Sequence, residues 1–402
     1  MLKIGIIREG KTPPDHRVPL TPQQCQLLKN NYRDLEIKVQ SSPIRAFKDE
    51  EYAELGIEVS DKVDDCDVLL GVKEVPLDSL IAGKTYLFFS HTYKKQPYNR
   101  KLLQTILDKK IRLIDYEMLR EPAGKRLLGF GRYAGIVGAY NAFRAWGKMT
   151  GDYQLKPAHQ CEDRREMERE LIKVELPATT KVVITGAGRV AGGAMEVLSA
   201  LRFTHVFPKE YINQDFKEPV FTQLDVRQYF ERKDGKNFTR QEFYDKPEGF
   251  RSRFMRYART TDIYIPCHFW SDRSPFIFTR EDARSPEFRI KLVSDISCDI
   301  DGPVASTLRP STIEDPFYGY DPIQEKEVPF GTLGSIGVSA VDNLPCELPR
   351  DASEDFGNEL IKNVIPHFLN GDKQGILEAA SETDLEGKLT PRFSYLQDYV
   401  NA

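Results

Sequence analysis

The chain lacks any window near the ~18 consecutive apolar residues that a membrane-spanning helix needs, so a helical membrane protein is excluded. It has little net charge: 57 Lys and Arg stand against 61 Asp and Glu, a formal charge of -4. No basic field is present to hold phosphate backbones, and nucleic acid is not expected as a partner. Cysteine is sparse; the six cysteines at 25, 66, 161, 267, 298 and 346 form no CxxC pair, so reduced, inert thiols in a cytoplasmic protein are expected and a metal site is not. Internal repeats and low-complexity tracts are missing as well. The N-terminal run Met1–Arg8 lacks the longer apolar stretch of a signal peptide and reads as a first β-strand.

What is present is ordinary globular material. The chain has 402 residues, with 40% hydrophobic and 29% charged residues, enough for two to three domains at roughly 150 residues each. Over the first part, short apolar runs alternate with polar helical stretches, the pattern of strand–helix units on a parallel sheet. Ile4–Ile7, Glu36–Val39, Val68–Val72, Tyr86–Ser90 and Arg112–Ile114 read as strands; Thr21–Asn30 and Asn99–Lys109 read as helices. Gly131–Gly151, rich in Ala and Gly, reads as a long helix crossing between domains. A second unit opens with the strand Val182–Thr185. The stretch Gln214–Arg259 shows no clear period and is expected to carry short helices and a special purpose. Strands return at Asp262–Pro266 and Lys291–Asp295, and Ala352–Asn370 reads as one helix.

Gly186-Ala187-Gly188-Arg189-Val190-Ala191 follows a predicted strand and opens a predicted helix, the setting a G-x-G-x-x-A dinucleotide turn requires. Gly186 permits the tight turn, Gly188 admits a pyrophosphate close to the backbone, and Ala191 lets helix and strand approach. Glu210, beyond the next predicted strand Thr204–Phe207, is placed to bind a ribose hydroxyl and favours NAD. Lys209 and Arg189 could instead neutralise the extra phosphate of NADP, which leaves that choice open.

Three N-terminal segments set polar residues at predicted strand ends, where open α/β sheets carry their chemistry: Arg8–Lys11 with Asp15–Pro22, Gly71–Pro76, and Phe88–Lys94. Lys73 would act as a base if burial or a neighbouring cation lowers its pKa, and His91 titrates in the useful range unaided. His268, beside Cys267, lacks the spacing of a metal ligand and is expected to be structural.

These segments resemble the alanine dehydrogenase and transhydrogenase superfamily, and within it most closely the lysine-forming saccharopine dehydrogenases. The similarity includes Lys84–Thr92, Ile111–Glu117, Val341–Pro345, Leu348-Pro349 and Ala352–Glu354, while Tyr244–Glu248 is similar to the reductase half of the bifunctional lysine-degrading enzymes. Only that half is matched, and no second enzyme is expected behind it. The resemblance implies an α/β protein of two doubly wound Rossmann-like domains with an inter-domain cleft: residues 1–135 plus 345–402 for substrate and catalysis, and 136–344 for the dinucleotide. It implies a reversible reaction in which the ε-amine of lysine condenses with 2-oxoglutarate and the imine is reduced with NAD(P)H to saccharopine. Lys73 would exchange the proton of the secondary amine, His91 would serve water addition and loss, Glu117 would tune both cations, and Asp342 would lie near the nicotinamide. A substrate with several carboxylates also calls for cations, for which Lys11, Arg17 and Arg126 are the candidates. An alanine dehydrogenase-like enzyme and a non-catalytic nucleotide-binding or transhydrogenase-like subunit are the competing readings.

Overall fold

A computed structural model describes residues 1–402. The chain forms two units, Met1–Phe130 with Pro349–Ala402, and Gly131–Leu348.

The first unit is built on a six-stranded parallel sheet: β1 (Leu2–Ile6), β2 (Leu35–Gln40), β3 (Glu58–Ser60), β4 (Val68–Leu70), β5 (Thr85–Phe88) and β6 (Arg112–Asp115), in the order β3-β2-β1-β4-β5-β6. Its central strands carry apolar side chains on both faces, as covered parallel strands must: Ile4 and Ile6 in β1 and all of β4 are buried. The order reverses direction between β1 and β4. That switch point leaves a crevice at the carboxyl ends of the two strands, where loops can hold a ligand. The first helix, Pro22–Asn31, is set by Thr21, whose hydroxyl accepts from the Gln24 amide while the Gln24 side chain reciprocates on the Thr21 amide. Gln24 also donates to Glu354 and Asn358, tying the C-terminal segment to this helix. That segment is two helices instead of the one expected, Pro349–Asn363 and Ile365–Leu369. Pro366 has no N–H to continue the first helix and starts the second.

The second unit has an eight-stranded sheet: β7 (Lys181–Thr185), β8 (Thr204–His205), β9 (Val220–Leu224), then, past the small hairpin β10 (Phe230–Arg232) and β11 (Phe250–Ser252), β12 (Ile263–Pro266), β13 (Leu292–Ser294), β14 (Phe317–Asp321), β15 (Lys326–Val328) and β16 (Ile336–Ser339). The order is β15-β14-β16-β13-β12-β7-β9-β8. Two features depart from the sequence reading. The stretch read as aperiodic contains β9, which pairs with β7 over five residues and pushes β8 to the edge; β9 is buried on both faces, so no alternation marks it. The remainder of that stretch folds around its own phenylalanines, with Phe230 and Phe243 rings 4.8 Å apart and Phe243 and Phe250 rings 5.1 Å apart. Strands β14 to β16 add an antiparallel edge that the sequence did not announce.

Gly131–Thr150, expected to cross between domains, is part of this second unit and lies along the helix Arg189–Ala200. Glycine makes that approach possible. A Cβ on Gly135 would fall 1.9 Å from the Val190 carbonyl oxygen, and one on Gly193 would fall 1.9 Å from that of Arg132. No helix is long and apolar enough to cross a membrane.

Candidate functional site

In the second unit, the turn after β7 has the shape its sequence predicts. Gly186 has φ +104°, and a Cβ there would lie 2.5 Å from the Cys267 carbonyl oxygen at the end of β12. Only glycine fits. Around Gly188 nothing stands within 4 Å of a would-be Cβ, so the backbone at the mouth of the helix Arg189–Ala200 is open to a ligand. Arg189 and Val190 begin that helix, and Ala191, next in it, is buried. Open backbone amides at a helix N-terminus next to a switch point suit a pyrophosphate.

Glu210 does not end a strand. It sits in the helix Pro208–Asn213, and its carboxylate accepts from the Phe207 amide at 3.1 Å as part of a capping interaction. Because β9 lies beside β7, the acid that ends the strand next to the glycine turn is Asp225, one residue past Leu224, whose carbonyl accepts from the Gly186 amide at 2.9 Å. Asp225 is paired with Arg227 at 2.8 Å and with Arg240. Sequence spacing missed it because the counting rule assumes that the strand after the helix is the neighbour of the first. His268 is buried, its Nδ1 2.8 Å from the Thr185 hydroxyl, and burial drives its pKa down to about 3. Asp295 is buried and bonded within its own loop to Ser297 and Thr307. Asp342 is exposed just beyond β16.

The first unit gathers most of the other predicted residues at the β1/β4 switch point. Glu9, past β1, accepts from the amides of Val72 at 2.7 Å and Lys73 at 2.9 Å, and so holds the loop after β4. Burial pushes the Glu9 carboxyl up to about 7 against those two hydrogen bonds. Glu74 bridges the other two loops: one oxygen is 2.6 Å from Lys11 Nζ, the other 2.9 Å from His91 Nδ1. Burial opposes its ionisation, but the bonds from His91 and Lys11 outweigh this and bring it to about 2. Arg17 is buried, its Nε 2.9 Å from one oxygen of Asp15 and its guanidinium 4.2 Å from the centre of the Phe130 ring. The pairing holds the Asp15 carboxyl far below the usual range despite burial. The fork expected to grip substrate is therefore occupied by Asp15.

Glu117 and Arg126 form a second group. Glu117 accepts from Lys94 at 2.9 Å, Arg126 at 3.1 Å and the Tyr93 hydroxyl. The acid touching His91 is thus Glu74, and Glu117 pairs with Lys94 and Arg126 instead. Of these cations only Lys73 has no carboxylate at ion-pair distance. Burial, then the charge of Arg17, lowers its pKa. A lysine so placed gives up its proton more readily than an exposed one, and an imidazole with its Nδ1–H committed to Glu74 leaves Nε2 for a substrate or water. Glu9, Asp15 and Glu74 were legible only as neighbours within the quoted segments; the adjacency of β1 and β4 assigns them roles.

Two doubly wound α/β units, one with a phosphate-type turn and the other with a lysine–histidine–carboxylate cluster, define the class. Residues 5–137 match the sequence profile described as "Alanine dehydrogenase/PNT, N-terminal domain". Over nearly the whole chain there is similarity to curated proteins. The mouse mitochondrial alpha-aminoadipic semialdehyde synthase is 30% identical over 444 residues, covering 98% of this chain and 47% of that protein. The Arabidopsis thaliana alpha-aminoadipic semialdehyde synthase is 28% identical, covering 89% and 37%. The chain therefore spans about half the length, or less, of these relatives. A saccharopine dehydrogenase [NAD(+), L-lysine-forming] of Emericella nidulans is 26% identical, covering 90% and 91%. Among solved structures, an L-alanine dehydrogenase aligns with a TM-score of 0.65 at 16% identity, covering 100% of this chain and 99% of that one. A transhydrogenase from Sinorhizobium meliloti aligns with 0.58 at 14% identity, covering 96% and 100%. These two share the fold.

Proposed function

We propose that the chain is an NAD(P)-dependent oxidoreductase of the lysine-forming saccharopine dehydrogenase type, interconverting saccharopine with L-lysine and 2-oxoglutarate through an imine. The observation that carries the reading is Lys73, half-buried, with no carboxylate at ion-pair distance and next in the chain to the Glu74 that binds His91. The curated relatives matched over most of their length bear that enzyme's name. The open turn at Gly186 and Gly188 fits a dinucleotide, with Ala187, Arg189, Val190 and Ala191 completing it and Asp225 in place of Glu210 as the acid beside it. A bound nicotinamide supplies or takes the hydride.

The chain's own residues do the rest. Lys73 takes the proton from the secondary amine of saccharopine and returns it in the other direction. His91 takes a proton from the water that adds to the imine carbon and gives it back when water leaves. Glu74 keeps the imidazole oriented, and Lys11 contributes positive charge for the substrate carboxylates, with Arg126 a further binding cation. Asp342 is proposed to serve the nicotinamide end of the dinucleotide site. A cytoplasmic location fits six cysteines with no disulfide.

The test is a substrate panel followed at the nicotinamide absorbance. Oxidation of NADH or NADPH that requires both lysine and 2-oxoglutarate is expected. Oxidation that requires ammonia and pyruvate instead overturns the reading.

A further inference from the structure

The first unit contains a buried acid pair that the proposed chemistry leaves unused. Asp115 ends β6, and Glu382 comes from the C-terminal segment, 290 residues beyond Thr92. Both are wholly buried, as are Ser90 and Thr92, which join them. Three short contacts link the four side chains in a line: Glu382 to the Thr92 hydroxyl at 2.6 Å, Thr92 to the Ser90 hydroxyl at 2.6 Å, and Ser90 to Asp115 at 2.5 Å.

Hydrogen counting decides the state of this line. Three oxygen–oxygen contacts of such length need three hydrogens, one in each. The two hydroxyls supply two. With both carboxyls ionised, each hydroxyl would donate outward and leave two oxygen lone pairs facing each other at 2.6 Å between Ser90 and Thr92. The third hydrogen must come from a carboxyl. Asp115 is the ionised member, because it accepts from the amides of Ser90 at 2.8 Å, His91 at 3.2 Å and Glu117 at 2.7 Å besides the Ser90 hydroxyl. The Glu382 side chain meets only hydroxyls.

We propose that Glu382 is a protonated positioning residue, whose proton completes a relay through Thr92 and Ser90 to Asp115 and thereby fixes the backbone of His91. His91 is held in the left-handed region at φ +56°, uncommon for a residue with a side chain, and the hydrogen bond its backbone N–H donates to Asp115 helps to hold it there. Burial, then the Asp115 charge, pushes the Glu382 carboxyl up to about 8, in agreement with the hydrogen count. The titratable groups facing the relay are Tyr116 and Glu117 after β6, Tyr93 after β5, and Tyr395 and Tyr399 from the C-terminal turns; Glu74 faces His91.

The catalytic consequence rests on the function proposed above; the protonation does not, so the test has two arms. Infrared difference spectra between wild type and Glu382→Gln at neutral pH are expected to show the carbonyl stretch of a protonated carboxylic acid in the wild type only, fading as the pH is raised through about 8. No such band, or an equal band in the variant, overturns the proposal even if the enzyme turns over no saccharopine. In the second arm, Glu382→Gln, which carries a permanent N–H donor, is expected to keep most of the neutral-pH kcat and to hold it further into alkali than wild type. Glu382→Ala is expected to lower kcat on the order of 10²-fold through a displaced His91, with KM little changed. Superimposable pH profiles for wild type and Glu382→Gln would exclude the positioning role.

Discussion

His91 Nδ1 lies 2.9 Å from one oxygen of Glu74, whose other oxygen lies 2.6 Å from Lys11 Nζ. A single carboxylate thus sets the imidazole tautomer and anchors a cation from a different loop. Replacing Glu74 by Gln keeps the shape but sets an amide against an ammonium or an imidazole N–H. A loss of roughly 10- to 100-fold in kcat is expected, the worth of a charge-assisted hydrogen bond of about 1.5–3 kcal/mol. Steady-state rates with lysine and 2-oxoglutarate check it; an unchanged kcat would free His91 from Glu74.

Lys73 should tolerate neither loss nor permanence of its charge. Lys73→Met is expected to cost ~10²–10⁴-fold in turnover, the usual worth of a positioned acid or base. Lys73→Arg should fail similarly, since a guanidinium keeps its proton throughout the working range. Nucleotide affinity, measured by fluorescence titration, should stay at the wild-type value in both, because the glycine turn is not touched. Full activity in either variant would remove Lys73 from the chemistry.

Stability should respond to pH with two opposite signs. Glu117 and Glu74 are both brought from the ordinary value of 4.5 to about 2 in the folded protein, their cationic partners outweighing burial. Their contribution is present above pH 4.5 and is lost as the pH falls from there toward 2. Glu9 is raised from 4.5 to about 7, mainly by burial, so its contribution is present below pH 4.5 and is lost as the pH rises through 7. Thermal unfolding across pH should therefore show a shallower acid limb in Glu117→Gln and a flatter stretch between pH 4.5 and 7 in Glu9→Gln. Wild-type slopes in these variants would contradict the assignment.

Helix packing in the second unit makes a sharper contrast. Gly193→Ala pushes a Cβ to 1.9 Å from a backbone oxygen of the neighbouring helix, whereas Gly192→Ala meets nothing within 4 Å. The first is expected to lower stability by ~1–3 kcal/mol, the range for overpacking. The second should be neutral or stabilising by roughly 0.5–1 kcal/mol from helix propensity. Denaturant midpoints of the two variants separate these outcomes.

How much of this was legible in the sequence differs between the two units. Five of the six strands of the first parallel sheet announced themselves because each apolar run is short and bounded, whereas the edge strand β3, Glu58–Ser60, has a single apolar residue and did not; the glycine turn was legible because its geometry demands glycine at Gly186. Lys73 and His91 could be picked out as polar residues after strands. Their partners could not: Glu9 and Glu74 acquire roles only when β1 and β4 are neighbours, a fact of sheet order that spacing does not encode. The strand beside the glycine turn was not legible for the same reason, since β9 comes between β7 and β8. Arg17 looked like a substrate fork because Asp15, two residues away, was not weighed as its bidentate partner.

The dependence of Ser90 and Asp115 on Glu382 also sets a schedule for biosynthesis. When the first 130 residues have left the ribosome, the amides and hydroxyls around His91 exist but the acid that orders them has not been translated. The whole of the second unit must be made before it arrives. A chain that has not reached Glu382 should therefore hold a pliant His91 loop, and ordering of that loop should wait on the segment after the second unit.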